Sequence, residues 1–236
     1  MKIVWLLLIL PFSVFASVSH TVGVARDVDS QSVRYFEHHQ YFQDGTHLIR
    51  YYTPEWELMA AKDLRYSAKP QHPEIQQIDY RRGLSVLVET NSDSIVMQKT
   101  LEGETEEIRL PLSDRTVIDA GFDAFIRETW SALNDDPITV DFAIAGQSRV
   151  LPMRISRLDA SSVSITPKNW LIRQLLPEIR LKYDDQRRLS RYEGFSNFSS
   201  GKGESKTVAI TFRHFESDAR LEMPLSDWIG VLQTGP

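Results

Sequence analysis

Three of the six histidines lie close together, at His38, His39 and His47. Neighbours on a strand point to opposite faces, so His38 and His39 cannot readily hold one ion between them. One of them, set beside His47 across a tight turn and joined by a carboxylate such as Glu37 or Asp44, could form a surface site for zinc or copper. The simpler expectation is a set of exposed strand histidines, and no metal ligand is assigned. The nearest approach to a serine nucleophile elbow is Gly194-Phe195-Ser196-Asn197-Phe198. It lacks the second glycine after the serine, and no helical pattern follows it. Gly201-Lys202-Gly203 has neither the spacing nor the Lys-Ser/Thr pair of a phosphate loop. The carboxylate pairs Asp135-Asp136 and Asp184-Asp185 stand where turns are expected, and turn chemistry accounts for them without acid–base work. No catalytic residue and no cofactor are expected.

The aromatic residues suggest more. Phe122, Phe125, Ile126 and Trp130 share one face of a predicted helix, and Trp170 opens a second. Tyr183, Tyr192 and Phe195 fall along the late strands. Two readings stand side by side. The set either fills a core between sheet and helices, or lines an apolar cavity able to hold an acyl chain. In the second reading the ligand-binding residues are Phe122, Phe125, Ile126, Trp130, Trp170, Tyr183, Tyr192 and Phe195.

The elements that must position these groups are mostly strands. Period-two alternation, the mark of a half-buried strand, recurs in short runs along the chain. Residues 33–42 carry aromatics on both faces, so either face could be the buried one. Asp44-Gly45 then signals a tight turn, with a partner strand at 47–52. Further runs cover 58–66, 84–89, 94–101 and 106–112, and later 139–144, 151–155, 163–165, 179–184, 189–192 and 208–212. Two segments break the rhythm. Residues 119–133 place apolar groups on one helical stripe, with Asp119 as N-cap. Residues 166–176 carry Thr166 as cap, Pro167 at the first helical position and Pro177 as stop. Both helices are expected to lay an apolar face on the sheet. Ser199 to Lys206 reads as a polar loop.

The ends and the composition limit the class of protein. Lys2, an apolar run from Ile3 to Phe15 and Ala16 make a secretory signal peptide, with residues 1–16 removed and residues 17–236 forming one β-rich domain. The run falls short of the ~20 residues of a spanning helix. The formal charge of −5 argues against nucleic acid as a partner. There is no cysteine, which excludes disulfides, a thiol nucleophile and an acylated N-terminal cysteine.

The runs Pro167 to Arg173, Ile179 to Tyr183 and Arg191 to Asn197, together with Asp44 to His47 and Ala120 to Arg127, resemble a group of uncharacterised bacterial envelope proteins. The resemblance implies the open half-barrel of periplasmic lipoprotein carriers, the LolA-like fold. The expected fold is therefore α+β: a curved antiparallel sheet of roughly eight to eleven strands with two short helices on its concave face. The expected function is non-enzymatic. It is a periplasmic binding or chaperone-like protein sheltering a lipid or other apolar group, not membrane-spanning once cleaved. The alternative is a structural envelope protein with a solid core and a protein partner.

Overall fold

The computed structural model describes residues 19–134, 136–174, 176–196, 198 and 207–215. The expected signal peptide at 1–16, Asp135 and the polar loop at 199–206 lie outside the described residues. Among the described residues fifteen strands form a single sheet. They are β1 (Ser19–Asp27), β2 (Val33–Tyr41), β3 (Thr46–Tyr52), β4 (Leu58–Arg65), β5 (Glu74–Asp79), β6 (Leu84–Thr90), β7 (Ser94–Leu101), β8 (Glu104–Pro111), β9 (Thr116–Ile118), β10 (Ile138–Ala143), β11 (Val150–Arg157), β12 (Ser162–Pro167), β13 (Ile179–Tyr183), β14 (Leu189–Phe195) and β15 (Thr207–Phe215). Helix α1 covers Gly121–Glu128 and α2 covers Trp170–Arg173, with a 3-10 turn at Ala132–Asn134.

Strands β1 to β8 form one antiparallel meander and β10 to β15 a second. The two are joined through β1 and β15, whose antiparallel register runs from His20 opposite Phe215 to Asp27 opposite Val208. The first and last described strands therefore lie at the middle of the sheet. Strand β9 adds in parallel to β10 and forms one edge, and β8 forms the other.

The chain passes from one edge to the other between Pro111 and Thr116. That is five Cα steps, at most about 18 Å. A flat sheet of this strand number would hold its edges about 67 Å apart. The sheet must therefore curl until its edges nearly meet, although they do not pair. Local contacts hold the approach. The backbone N–H of Ile118 donates to the carbonyl of Gln71 at 2.9 Å, and a Cβ on Gly121 would stand 2.6 Å from that same oxygen, so only glycine fits there.

Apolar residues of β1 to β8, with Phe198, Val208 and Ile210, form one core cluster. Residues of β9 to β13 and α1 form a second. The first shows how register builds a layer. Leu64, Ile75, Val88, Met97 and Ile108 are successive cross-strand partners, and all are buried. Residues 33–42 carry aromatics on both faces because both faces are covered. Tyr35 lies inside, and Phe36 stacks on Trp56 on the outer side with ring centroids 4.3 Å apart. Gly45, at φ +83, makes the expected turn into β3, where the Thr46 N–H donates to the Asp44 carboxylate.

The fold is mostly β, with a curved and open sheet, and it differs from expectation in three respects. The sheet has fifteen strands because β1, β5 and β9 lack a clean alternating pattern; β5 reads EIQQID. The first helix is eight residues long rather than 119–133. Asp119 does not cap it, since its carboxylate is taken by Lys62 at 2.6 Å, and Thr129 turns its hydroxyl onto the Phe125 carbonyl. The second helix is a single turn. Thr166 and Pro167 belong to β12, Asn169 is the cap, and no residue of α2 is buried. Trp170 and Leu171 are 67% and 56% exposed, so α2 lays no apolar face on the sheet. Among the described residues no helix is long and apolar enough to cross a membrane.

The Lys62–Asp119 pair ties β4 to the start of α1, with the two side chains 4% and 10% exposed. Removing one partner from such a site leaves an uncompensated buried charge. We expect Asp119→Ala to lose about 3–5 kcal/mol of stability in urea unfolding. Lys62→Met combined with Asp119→Ala should recover much of the loss. A double variant as unstable as the single one would show that the charge pair is not the cause.

Candidate functional site: a polar-headed cavity inside the curl

The alternation of β2 sends Tyr35, Glu37, His39 and Tyr41 to the inner face of the curl, and β3 sends His47, Ile49 and Tyr51 beside them. In the β2–β3 register His39 faces Ile49 and Tyr41 faces His47. His39 and His47 are thus diagonal neighbours, within reach of each other. Lys62 of β4 is directly opposite Ile49 and extends the polar row. Across the curl come Phe122, Asp123 and Arg127 of α1, Phe142 of β10, Leu189, Tyr192 and Phe195 of β14, and Phe212 and His214 of β15. These walls line a partly open cavity of about 640 Å³.

At one side of this space three side chains form a hydrogen-bonded chain. His39 Nε2 stands 2.9 Å from Glu37 Oε2, and His39 Nδ1 stands 3.0 Å from His47 Nε2. Where the Glu37 carboxylate is the acceptor, His39 carries its proton on Nε2. With His39 neutral, its bare Nδ1 accepts from the N–H at His47 Nε2. His47 Nδ1 then remains as a lone-pair acceptor, and among the described residues it has no hydrogen-bond partner. Burial, and with it the positive charges of Lys62 and Arg127, holds His47 well below the usual histidine range, which keeps the ring neutral. Its ring stacks on Tyr41 with centroids 4.0 Å apart.

The charged residues of the wall are engaged. Lys62 pairs with Asp119, whose second carboxylate oxygen accepts from the Ala145 N–H. Arg127 pairs with Asp123 one helical turn away. Arg188 pairs with Asp184, and the Asp184 carboxylate also accepts the N–H groups of Gln186 and Arg188, as a turn aspartate does. His214 joins the Thr21 hydroxyl and the Leu189 carbonyl. Tyr35 and Tyr51 are raised well above the ordinary tyrosine value by burial and then by the Glu37 charge. Burial also raises Tyr41, Tyr66 and Tyr192. These phenols are neutral at any physiological pH.

The eight residues expected to line an apolar site separate into three groups. Phe122, Tyr192 and Phe195 line the cavity. Phe125, Ile126, Trp130 and Tyr183 are buried in the second core cluster behind it, where Trp130 meets Tyr183 edge-on at 5.1 Å. Trp170 stands on the outer surface, 67% exposed, because its helix ends after one turn.

The histidines depart from the expectation of exposed strand positions, since His38, His39 and His47 are all buried. They belong to two faces. His39 and His47 look inward, while His38 looks outward and meets His20 nitrogen to nitrogen at 3.1 Å. Among the described residues no three His, Cys, Asp or Glu groups are arranged to hold a metal ion. Ser196 is buried and its hydroxyl accepts the Phe198 N–H, a local turn contact.

Lys62, Asp119, Tyr35 and Tyr51 were missing from the sequence reading of the site. Lys62 carried a signal, being in phase with Ala60 and Leu64 on a strand whose apolar side faces inward. A charge at such a position needs a buried partner. That the partner is Asp119, far along the chain, has no sequence signal.

Burial pushes His38 down to about 4, with help from the charges of His20, His39 and Arg50. The unfolded ring titrates near 6.5, so acid protonates the unfolded chain first and its contribution to stability is lost as pH falls from about 6.5 to about 4. His20, His47, His72 and His214 are lowered as well and act in the same direction. We expect the urea midpoint to drop between about pH 7.5 and 4.5, and His38→Gln to reduce that drop. Equal midpoints at the two pH values would contradict the burial argument. No family model matches the chain, and neither a curated protein nor a solved structure is similar to it.

Proposed function

We propose that this protein is a non-enzymatic binding protein that shelters a lipid or other apolar small molecule in the bacterial periplasm. The observation that carries the reading is the cavity itself. Its volume of about 640 Å³ is that of small-molecule sites, roughly 300–1,000 Å³. Its walls combine many aromatic and aliphatic groups with polar ones held in fixed pairs, as small-molecule sites do. The apolar leader at residues 1–16 supports export. The open interior favours a small ligand over a solid-core protein with only a protein partner.

The test is native mass spectrometry of protein purified after expression with its leader, followed by organic extraction, and uptake of the apolar dye N-phenyl-1-naphthylamine by the stripped protein. We expect a bound mass on the order of several hundred daltons and saturable dye fluorescence. Leu189→Trp, which fills the cavity from the wall, should remove both while the thermal midpoint changes little. A wild-type protein that carries no extractable mass and takes up no dye would end the reading.

A further inference from the structure

Resting on the binding reading above, we infer that the ligand is an uncharged amphiphile, a long apolar body ending in a hydroxyl group, and that this hydroxyl donates its proton to His47 Nδ1. Two observations lead there.

The first is an acceptor without a donor. His47 is 6% exposed, its Nε2 is committed to His39, and its Nδ1 is a buried atom at the cavity wall with no partner among the described residues. An unpaired buried acceptor carries the full desolvation penalty of the group. Glu37 orients His39 and His39 orients His47, so with both rings neutral and the carboxylate as acceptor the Nδ1 lone pair faces the cavity.

The second is the balance of charge around that atom. Glu37, Asp119 and Asp123 line the cavity against Lys62, Arg127 and Arg188. Each of these bases is in an ion pair, with Arg188 held by Asp184. Among the described residues every base named here is therefore already paired with a carboxylate. An anionic head would compete with the carboxylates that already hold those bases, and it would meet Glu37, whose partner is His39, in a low-dielectric space. A hydroxyl brings the donor that His47 lacks and adds no charge.

The test uses the stripped wild-type protein loaded with N-phenyl-1-naphthylamine and displaces the dye with molecules of one chain length. These are 1-dodecanol, its methyl ether, dodecanoate and 1-monolauroylglycerol. The ether keeps the oxygen as an acceptor but has no proton to donate. We expect dodecanol or monolauroylglycerol to bind about ten-fold or more tightly than the ether, the cost of leaving a buried acceptor unpaired, and more tightly than dodecanoate. The tighter of the two hydroxyl compounds tells a simple alcohol from a glycerolipid as the source. The triple variant Glu37→Leu, His39→Leu, His47→Phe removes the whole hydrogen-bonded chain, keeps an aromatic ring on Tyr41 and should abolish the preference for alcohol over ether while retaining the ether's affinity. If dye binds but ether and alcohol displace it equally, or dodecanoate binds best, this inference falls and the binding reading stands. If neither dye nor any amphiphile binds, both fall together.

Discussion

Residues 112–115 impose the constraint on which everything else depends. They join β8 to β9, the two outermost strands of a fifteen-stranded sheet, and a connection so short cannot cross an open, flat sheet. Twist alone bends a sheet gradually; here covalent connectivity requires the ends to come round. The curl brings side chains from β2 and β3 opposite those of α1, β10 and β14. The interior is too wide for these side chains to fill. A cavity is therefore a consequence of strand number and connection length, not of any one residue.

The polar groups inside that cavity are placed where the two halves of the curl meet. Asp119 takes the left-handed conformation at φ +41, one that aspartate tolerates better than most residues. From there its backbone N–H donates to Ala143, its carbonyl accepts from Phe122 and its carboxylate holds Lys62. One residue thus links β10, α1 and β4. Buried ion pairs are poor sources of net stability, because desolvation offsets much of their attraction. Their better attested use is to specify an arrangement. Here the pair sets which inner face of β4 meets the start of α1, and it neutralises a lysine that would otherwise attract anions into the cavity.

Strand existence was largely legible, because a sheet buried on one side writes period two into the sequence. Strand β13, buried at Ile179, Leu181 and Tyr183 and exposed at Arg180 and Lys182, reads the same way in sequence and in space. Strands β5 and β1 were not legible. The first places two glutamines in its centre, and the second carries Gly23 and polar ends. Helix lengths were misread for a related reason. The apolar stripe continues to Leu133, but the Asp119 carboxylate and the Thr129 hydroxyl had other partners, and apolar periodicity does not register them. Of the cavity wall, Phe122, Tyr192 and Phe195 were visible as aromatic residues. That His39 rather than His38 meets Glu37 and His47, and that Lys62 joins the row, depends on register between strands and on the curl, both of which are properties of pairing rather than of local composition.

The placement of β1 and β15 at the centre of the sheet bears on how the chain acquires its shape. Until the last described strand exists, β1 has only β2 beside it, and its other edge is an open row of backbone donors and acceptors. The first eight strands can zip up as local hairpins, but the sheet stays in two pieces until partners nearly two hundred residues apart, such as Thr21 and His214, find each other. Such separations slow folding and lengthen the life of half-built sheets that can join a neighbour's edge instead. Among the described strands the central seam is thus the last pairing available during synthesis, and its late arrival makes the time spent half-folded, rather than the final stability, the point at which this architecture is most vulnerable.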